Sequence, residues 1–300
     1  MKLAHDMYGK PYKKKLGDRR DARKLKMNGV LRMCTYLKER HNADVYINKT
    51  IDVTNLVKYM EEKKKKDNEI TYFHLLSYAC ARVVYNRPYL NRYIINHTCY
   101  ERDDVTLAFT AKVAFEDDAK EFLSVIKVLP TDNVDDIKKT IKNKVDKVRG
   151  NIQNDTDNAV DILDKLPRPI LGIAARIVKW MDKHDLLPRS FSENLLYNST
   201  AILSNLGSIN CGAIYHNITN FGTNGILITF GKIHKEPMVI NDKIEIRDVL
   251  EIGANLDERI ADGVYMAKAI NLFEDILQNP ELFKEAASEK IIKEPRERKS

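Results

Sequence analysis

Apolar residues recur at helical spacing from Met27 onward, as Met27, Val30, Leu31, Cys34 and Leu37, and that period predicts a helix. ADVYINKTI then places Val45, Ile47 and Ile51 on one side of a strand. In DVTNLVKYMEE, Asp52 or Thr54 can cap a helix whose stripe is Val53, Leu56, Val57 and Met60. TYFHLLSYACARVVYNRP predicts another helix, with Phe73, Leu76, Cys80, Val83 and Val84 on one face and Pro88 as its stop. His74 and Tyr78 share that segment, and His74 reads as a core or surface histidine rather than a ligand.

Three strand-like runs follow, RYIINHTCY, VTLAFTAKVAF and EFLSVIKVL. In DNVDDIKKTIKNKVDKVRG, Val134, Ile137, Ile141, Val145 and Val148 keep helical phase, and Gly150 ends it. DILDKLPRPILGIAARIVKWMDKHDLLP reads as two short helices broken at Pro167 and Pro169. YNSTAILSNLG is a strand ending in a turn, GILITFGKI is a strand, and MVINDKIEI is a hairpin turning at Asn241–Asp242. VLEIGANL alternates Leu250, Ile252, Ala254 and Leu256, and the last helix turns Met266, Ile270, Phe273 and Leu277 inward before Asn279–Pro280. Strands in groups with helices between, and no regular βαβ repeat, predict an α+β fold: a mixed-sheet sandwich in one domain.

Composition narrows this picture. The 300 residues are 43% hydrophobic, enough for a large core, and no window is apolar enough to span a bilayer. The N-terminus lacks the apolar run of a secretory signal, and Cys34, Cys80, Cys99 and Cys211 form no CxxC pair. A cytoplasmic protein with free thiols is expected, with no metal site. The net charge of +7 is uneven, with ten lysines and arginines between Lys2 and Lys26 and a basic tail, KEPRERKS. No nucleic-acid motif accompanies these ends, so no nucleic-acid partner is expected.

The stretch LDERIADGVYMAKAI carries the chemistry. Asp262 can cap the last helix, Gly263 lets the backbone come close to a neighbour, and Arg259 can share charge with Asp262 or Glu258. Alone, this is a capped helix start with a surface ion pair, worth under about 1 kcal/mol. The order strand, D-E-R-I-A-D-G, amphipathic helix, N-P-E-L closely resembles the D-H-R-x-x-D-G-A signature of the dihydrolipoamide acyltransferase catalytic domain of 2-oxo-acid dehydrogenase complexes. AILSNLGSI resembles that family's T-I-S-N-L-G, and GILITFGKIHKEPMV its V-A-I-L-G-I-G-R-x-x-x-x-P-V. FLSVIKV resembles its G-L-x-V-P-V-I-K, and INKTIDVTNL its entry strand and helix. The resemblance runs in family order from about Leu25 to Leu282.

What the resemblance implies is a two-layer sandwich of the chloramphenicol acetyltransferase-like, CoA-dependent acyltransferase type. The expected layout is a basic arm over 1–24, the acyltransferase-like domain over 25–285 with a helical insert at about 151–191, and a basic tail over 286–300. The chain reads as a free-standing catalytic-domain relative without a lipoyl domain. The insert's basic amphipathic segment is expected to pack over its own domain or a neighbouring subunit rather than on a membrane. Also implied are coenzyme A as an acyl-CoA substrate, no metal, and a homotrimer or larger homo-oligomer with active sites shared between subunits. Ser204 falls on the oxyanion-stabilising hydroxyl, and Asp262 on the aspartate that holds the loop, usually through an arginine. Asn205, Gly207, Arg259 and Gly263 fall on loop-supporting positions. The family's general base is a histidine, and this chain has Glu258 in its place.

A thiol releases its proton at about 8.5 and a glutamate takes one up at about 4.3, so Glu258 would need a dry site to serve as base. His216 and His234 lie between the two motifs and either could stand in as base, His216 being the better candidate. The readings are therefore a CoA-dependent acyltransferase with a thiol, hydroxyl or amine acceptor, a catalytically impaired oligomeric binding or scaffold protein, and a membrane-associated module.

Overall fold

The computed structural model describes residues 19, 21–27, 29–112, 121–149, 167–193 and 195–291. Its strands are β1 (Ala22–Lys24), β2 (Asp44–Asp52), β3 (Arg92–Ile95), β4 (Thr98–Arg102), β5 (Val105–Lys112), β6 (Glu121–Val128), β7 (Ala201–Asn205), β8 (Ile226–Phe230), β9 (His234–Ile240) and β10 (Lys243–Asp257). The helices are α1 (Gly29–Leu37), α2 (Thr54–Lys66), α3 (Tyr72–Asn86), α4 (Val134–Arg149), α5 (Arg168–Lys183), α6 (Arg189–Ser192) and α7 (Gly263–Gln278). A seven-stranded sheet runs β2-β10-β8-β7-β5-β6, with β9 paired to the first half of β10. The β5–β7 and β7–β8 pairs are parallel and the others antiparallel, so the sheet is mixed. A small antiparallel sheet, β1-β4-β3, stands beside it.

Period-two alternation gives the large sheet two different faces. Leu250, Ile252, Ala254 and Leu256 of β10, Ala201 and Leu203 of β7, and Ile226 and Phe230 of β8 join α2, α3, α4 and α7 in the main core. The α3 helix is buried from His74 to Val84, all round rather than on one face, because it lies between the sheet and its neighbouring helices. The opposite face carries a small cluster built on Ala108, Ile202, Ile218 and Leu227.

Several local readings are corrected by the fold. RYIINHTCY is a hairpin, not one strand, since Asn96 and His97 both take positive φ and turn β3 into β4. Pro169 does not break a helix: it sits in the first turn of α5, where its missing N–H would have no partner. The 151–166 part of the expected insert lies outside the described residues. Ile170, Ile173, Ile177 and Trp180 of α5 are exposed in this chain, and the helix is tied down at its end by Asp182, whose carbonyl accepts from the buried Arg19 at 2.8 Å. The α1 stripe likewise leaves Val30 and Leu37 exposed. The first strand starts at Ala22, inside the segment expected to be an arm. Among the described residues no helix is long and apolar enough to cross a membrane.

His74 is a buried capping residue. Its Nδ1 accepts the Thr71 N–H at 3.1 Å at the start of α3, a bond that needs an unprotonated ring. Burial, reinforced by Lys138, pulls its pKa down to about 4. The unfolded chain protonates this ring below about 6.5, so stability is full above that pH and falls as pH drops toward 4, by about 3 kcal/mol at most. In urea titrations at pH 7 and 4.5, His74→Gln, which keeps an acceptor at the cap, is expected to remove that part of the acid loss.

Candidate active site

At its C-terminal end β10 delivers Asp257, Glu258 and Arg259 in succession. The Asp257 N–H donates to the Gly225 carbonyl and the Glu258 N–H to the Ala43 carbonyl, both at 2.9 Å, so the backbone is held from both sides. Arg259 bonds Asp257 through Nε at 2.8 Å and a terminal nitrogen at 2.7 Å, and its other terminal nitrogen reaches the Lys38 carbonyl at 3.2 Å. Both side chains are buried. The expected partner of Arg259 was Asp262 or Glu258 at the surface; the fold chooses Asp257 and buries the pair. A bidentate fork closed on its own strand leaves Glu258 pointing the other way.

Asp262 is exposed and does cap α7, its carboxylate accepting the Tyr265 N–H at 2.8 Å. No arginine joins it among the described residues. Gly263 makes no close approach, since a Cβ there would meet nothing within 4 Å. The Glu258 carboxylate is 39% exposed in the single chain and forms an ion pair with the Lys38 ammonium. The dry setting expected for it is therefore not made by one copy of the chain. Glu258, as hydrogen-bond acceptor, pushes the Lys38 pKa up. Lys38 was missed by sequence reasoning, because nothing local ties the end of α1 to a turn so far along the chain.

Beside the pair lies a cavity of about 480 Å³, lined by Lys38, Arg40, His97, Lys179, Lys183 and Arg259 among others. Arg40 is buried and donates to the Thr219 and Phe221 carbonyls at 3.2 and 3.1 Å, and to Gly222. Burial pulls its pKa down to about 10, with Asp257 opposing and Arg259 adding to the fall. Asp257 thus balances two buried guanidinium groups.

Ser204 occupies the other end of the sheet. It lies on the face away from the helices, level with Thr229 of β8, which in turn pairs with Gly253 of β10. Glu258 is five residues further along β10. At about 3.3 Å per residue and 4.8 Å per strand, that is about 16 Å along and about 10 Å across, so Ser204 and Glu258 are about 19 Å apart in one chain. Gly207, after Asn205, permits a backbone contact: a Cβ there would stand 2.7 Å from the Gly231 oxygen.

His216 belongs to the connection 211–219, which crosses the same face. Its N–H donates to the Asn255 side chain at 3.2 Å, Thr229 Oγ1 donates to the Ile214 carbonyl at 2.6 Å, and the Ile218 N–H donates to Asp44 at 3.2 Å. Gly253 makes room for this strap, since a Cβ there would lie 2.6 Å from the Ile214 oxygen. The His216 side chain is exposed and makes no contact with Glu258 among the described residues.

A match to the family described as 2-oxoacid dehydrogenases acyltransferase (catalytic domain) covers residues 21–158 and 170–284. Among solved structures, the probable dihydrolipoamide acetyltransferase from Listeria monocytogenes 4b F2365 is 18% identical with a TM-score of 0.57, over 85% of this chain and 93% of that one. The cubic core of a pyruvate dehydrogenase multienzyme complex is 14% identical with a TM-score of 0.59, over 85% and 88%. Azotobacter vinelandii dihydrolipoamide acetyltransferase, studied for the roles of a serine, a histidine and an asparagine in its catalytic mechanism, is 16% identical with a TM-score of 0.58, over 85% and 88%. At these identities the likeness is one of fold. No curated protein matches the sequence.

Removing Asp257 leaves buried Arg259 without its carboxylate and takes a favourable charge away from Arg40. Asp257→Asn is expected to lower stability by about 3–5 kcal/mol in urea unfolding, against less than about 1 kcal/mol for Asp262→Asn, an exposed cap.

Proposed function

We propose, from the premise that this chain belongs to the 2-oxoacid dehydrogenases acyltransferase (catalytic domain) family, that it transfers an acyl group from coenzyme A thioester at sites shared between copies of itself. The observation that carries this reading is the position of Glu258: its backbone N–H is bonded to Ala43 and its two neighbours form a buried ion pair, at the place where the resembling signature carries its base. The acceptor is a thiol, hydroxyl or amine.

The acceptor's lone pair attacks the thioester carbonyl carbon and its proton passes to the Glu258 carboxylate. The Ser204 hydroxyl of a neighbouring copy donates to the oxyanion, and collapse of the tetrahedral adduct breaks the carbon–sulfur bond, the departing thiolate taking the proton. Two groups about 19 Å apart in one chain serve the same carbonyl only if they come from different copies. The exposed apolar residues of α1 and of the β9–β10 hairpin, Val30, Met33, Val239, Ile244 and Ile246, support a homotrimer or a larger assembly. So does the likeness to a protein that forms a cubic core. Assembly also answers the problem of the exposed carboxylate. With ordinary values of about 4.3 and 8.5, proton transfer from a thiol is uphill by about 6 kcal/mol, so the reading requires a neighbouring copy to shield the carboxylate from water. The Lys38 ammonium, paired with that carboxylate, competes with an incoming proton for it. His216, in the strap, is the substitute base if Glu258 is not used.

Free CoA thiol release from acetyl-CoA, followed with several acceptors, tests the reading. Ser204→Ala is expected to lower kcat by about 10²–10³, and Glu258→Gln by about 10²–10⁴. Mixing and reassembling the two variants restores roughly a quarter of wild-type turnover, because some interfaces then pair an intact Ser204 with an intact Glu258. No turnover in the wild type together with turnover in Glu258→His favours the impaired scaffold. Loss in His216→Ala but not in Glu258→Gln moves the base to His216.

With Lys38→Met, the Glu258 carboxylate loses the cation paired with it. The acid limb of the kcat/KM profile, which reports the base, is expected to move to higher pH, with more turnover on thiol acceptors above it. An unmoved limb separates Lys38 from the chemistry.

A further inference from the structure

His234 and Glu236 alternate onto one face of β9, and Glu251 meets them from β10, where that strand passes from pairing with β9 to pairing with β8. One ligand atom from each side chain lies within 4.8 Å of the other two, and all three residues are half-buried. His234 Nδ1 is 3.0 Å from the Lys232 carbonyl oxygen, a contact that requires a proton on Nδ1. Nε2 therefore turns toward the carboxylates, 3.1 Å from Glu236 Oε1. Two carboxylates and an imidazole nitrogen this close together favour positive charge among them. Among the described residues no lysine or arginine pairs with Glu236 or Glu251. Lys235 pairs with Asp248, and Arg247 with Glu245 and Asp52.

We propose that His234 Nε2 and one oxygen each of Glu236 and Glu251 bind a divalent transition-metal ion of the zinc class. Three protein ligands make an open four-coordinate site, and an imidazole among them selects zinc over magnesium or calcium. The Lys232 carbonyl holds the ring in the ligating tautomer, as outer partners do at such sites. The ion ties β9 to β10. It also braces the strap, because Glu251 Oε2 lies against Gly212, where a Cβ would stand 3.2 Å away. The sequence predicted no metal here, since His-x-Glu on a strand is ordinary alternation and its third ligand is distant in the chain.

Full-length, metal-free protein titrated with zinc chloride tests this by calorimetry and by metal analysis after dialysis. The expected result is one zinc per chain and a thermal midpoint that rises with zinc. His234→Ala and Glu251→Gln, with wild-type circular dichroism, are each expected to weaken binding by about 100-fold or more, since outer partners alone are worth about 10–100-fold. No zinc retained by the wild type, equal retention by the double variant, or the same titration with magnesium overturns the proposal. So does a His234 imidazole NMR signal unmoved by zinc, which would leave a proton as the only bridging charge. None of these readouts depends on acyl transfer.

Discussion

Asp257 and Arg259 form a buried ion pair at the end of β10, and a buried pair is tolerated only when both partners are satisfied. The turn is built to meet that demand. Arg259 folds back on the strand it has just left, spends its remaining donor on the Lys38 carbonyl, and so joins α1 to the start of α7. Glu258, between the two, is partly exposed and pairs with Lys38. Arg40, drawn into the same charge balance, fixes the far end of the strap at Thr219, Phe221 and Gly222. One electrostatic constraint therefore ties together the turn before α7, the orientation of the candidate base and the buried Arg40 that anchors a distant loop.

The sheet separates the chemistry that the turn prepares. Antiparallel pairing of β10 with β8 sends Glu258 to one end, while parallel pairing of β8 with β7 keeps Ser204 at the other. In one chain these two side chains do not meet. Apolar residues on α1 and the β9–β10 hairpin are left uncovered in the single chain.

Much of the fold was legible because burial imposes a period. Alternation in VLEIGANL, the stripe Met266, Ile270, Phe273 and Leu277, and the hairpin at Asn241–Asp242 all report local geometry that tertiary packing reinforces. The Asp262 cap was legible for the same reason, its partner being three residues away. RYIINHTCY misled because its turn residues, Asn96 and His97, lie between apolar runs of strand composition. The apolar residues of α1 and α5 show a different limit. A helical period states that one face is apolar but not what covers it, and in the single chain little does.

The sequence by itself determined the element order, the inward faces, the helix start at Asp262 and, through its resemblance, the acyltransferase sandwich, because each depends on neighbours a few residues apart or on motif order. Only the tertiary structure decided that Arg259 serves Asp257, that Lys38 meets Glu258, that Ser204 stands across the sheet from Glu258, and that His234, Glu236 and Glu251 converge. Those partners are brought together by strand register and by the need to neutralise buried charge. Both are properties of the packed chain as a whole and leave no periodic trace along it.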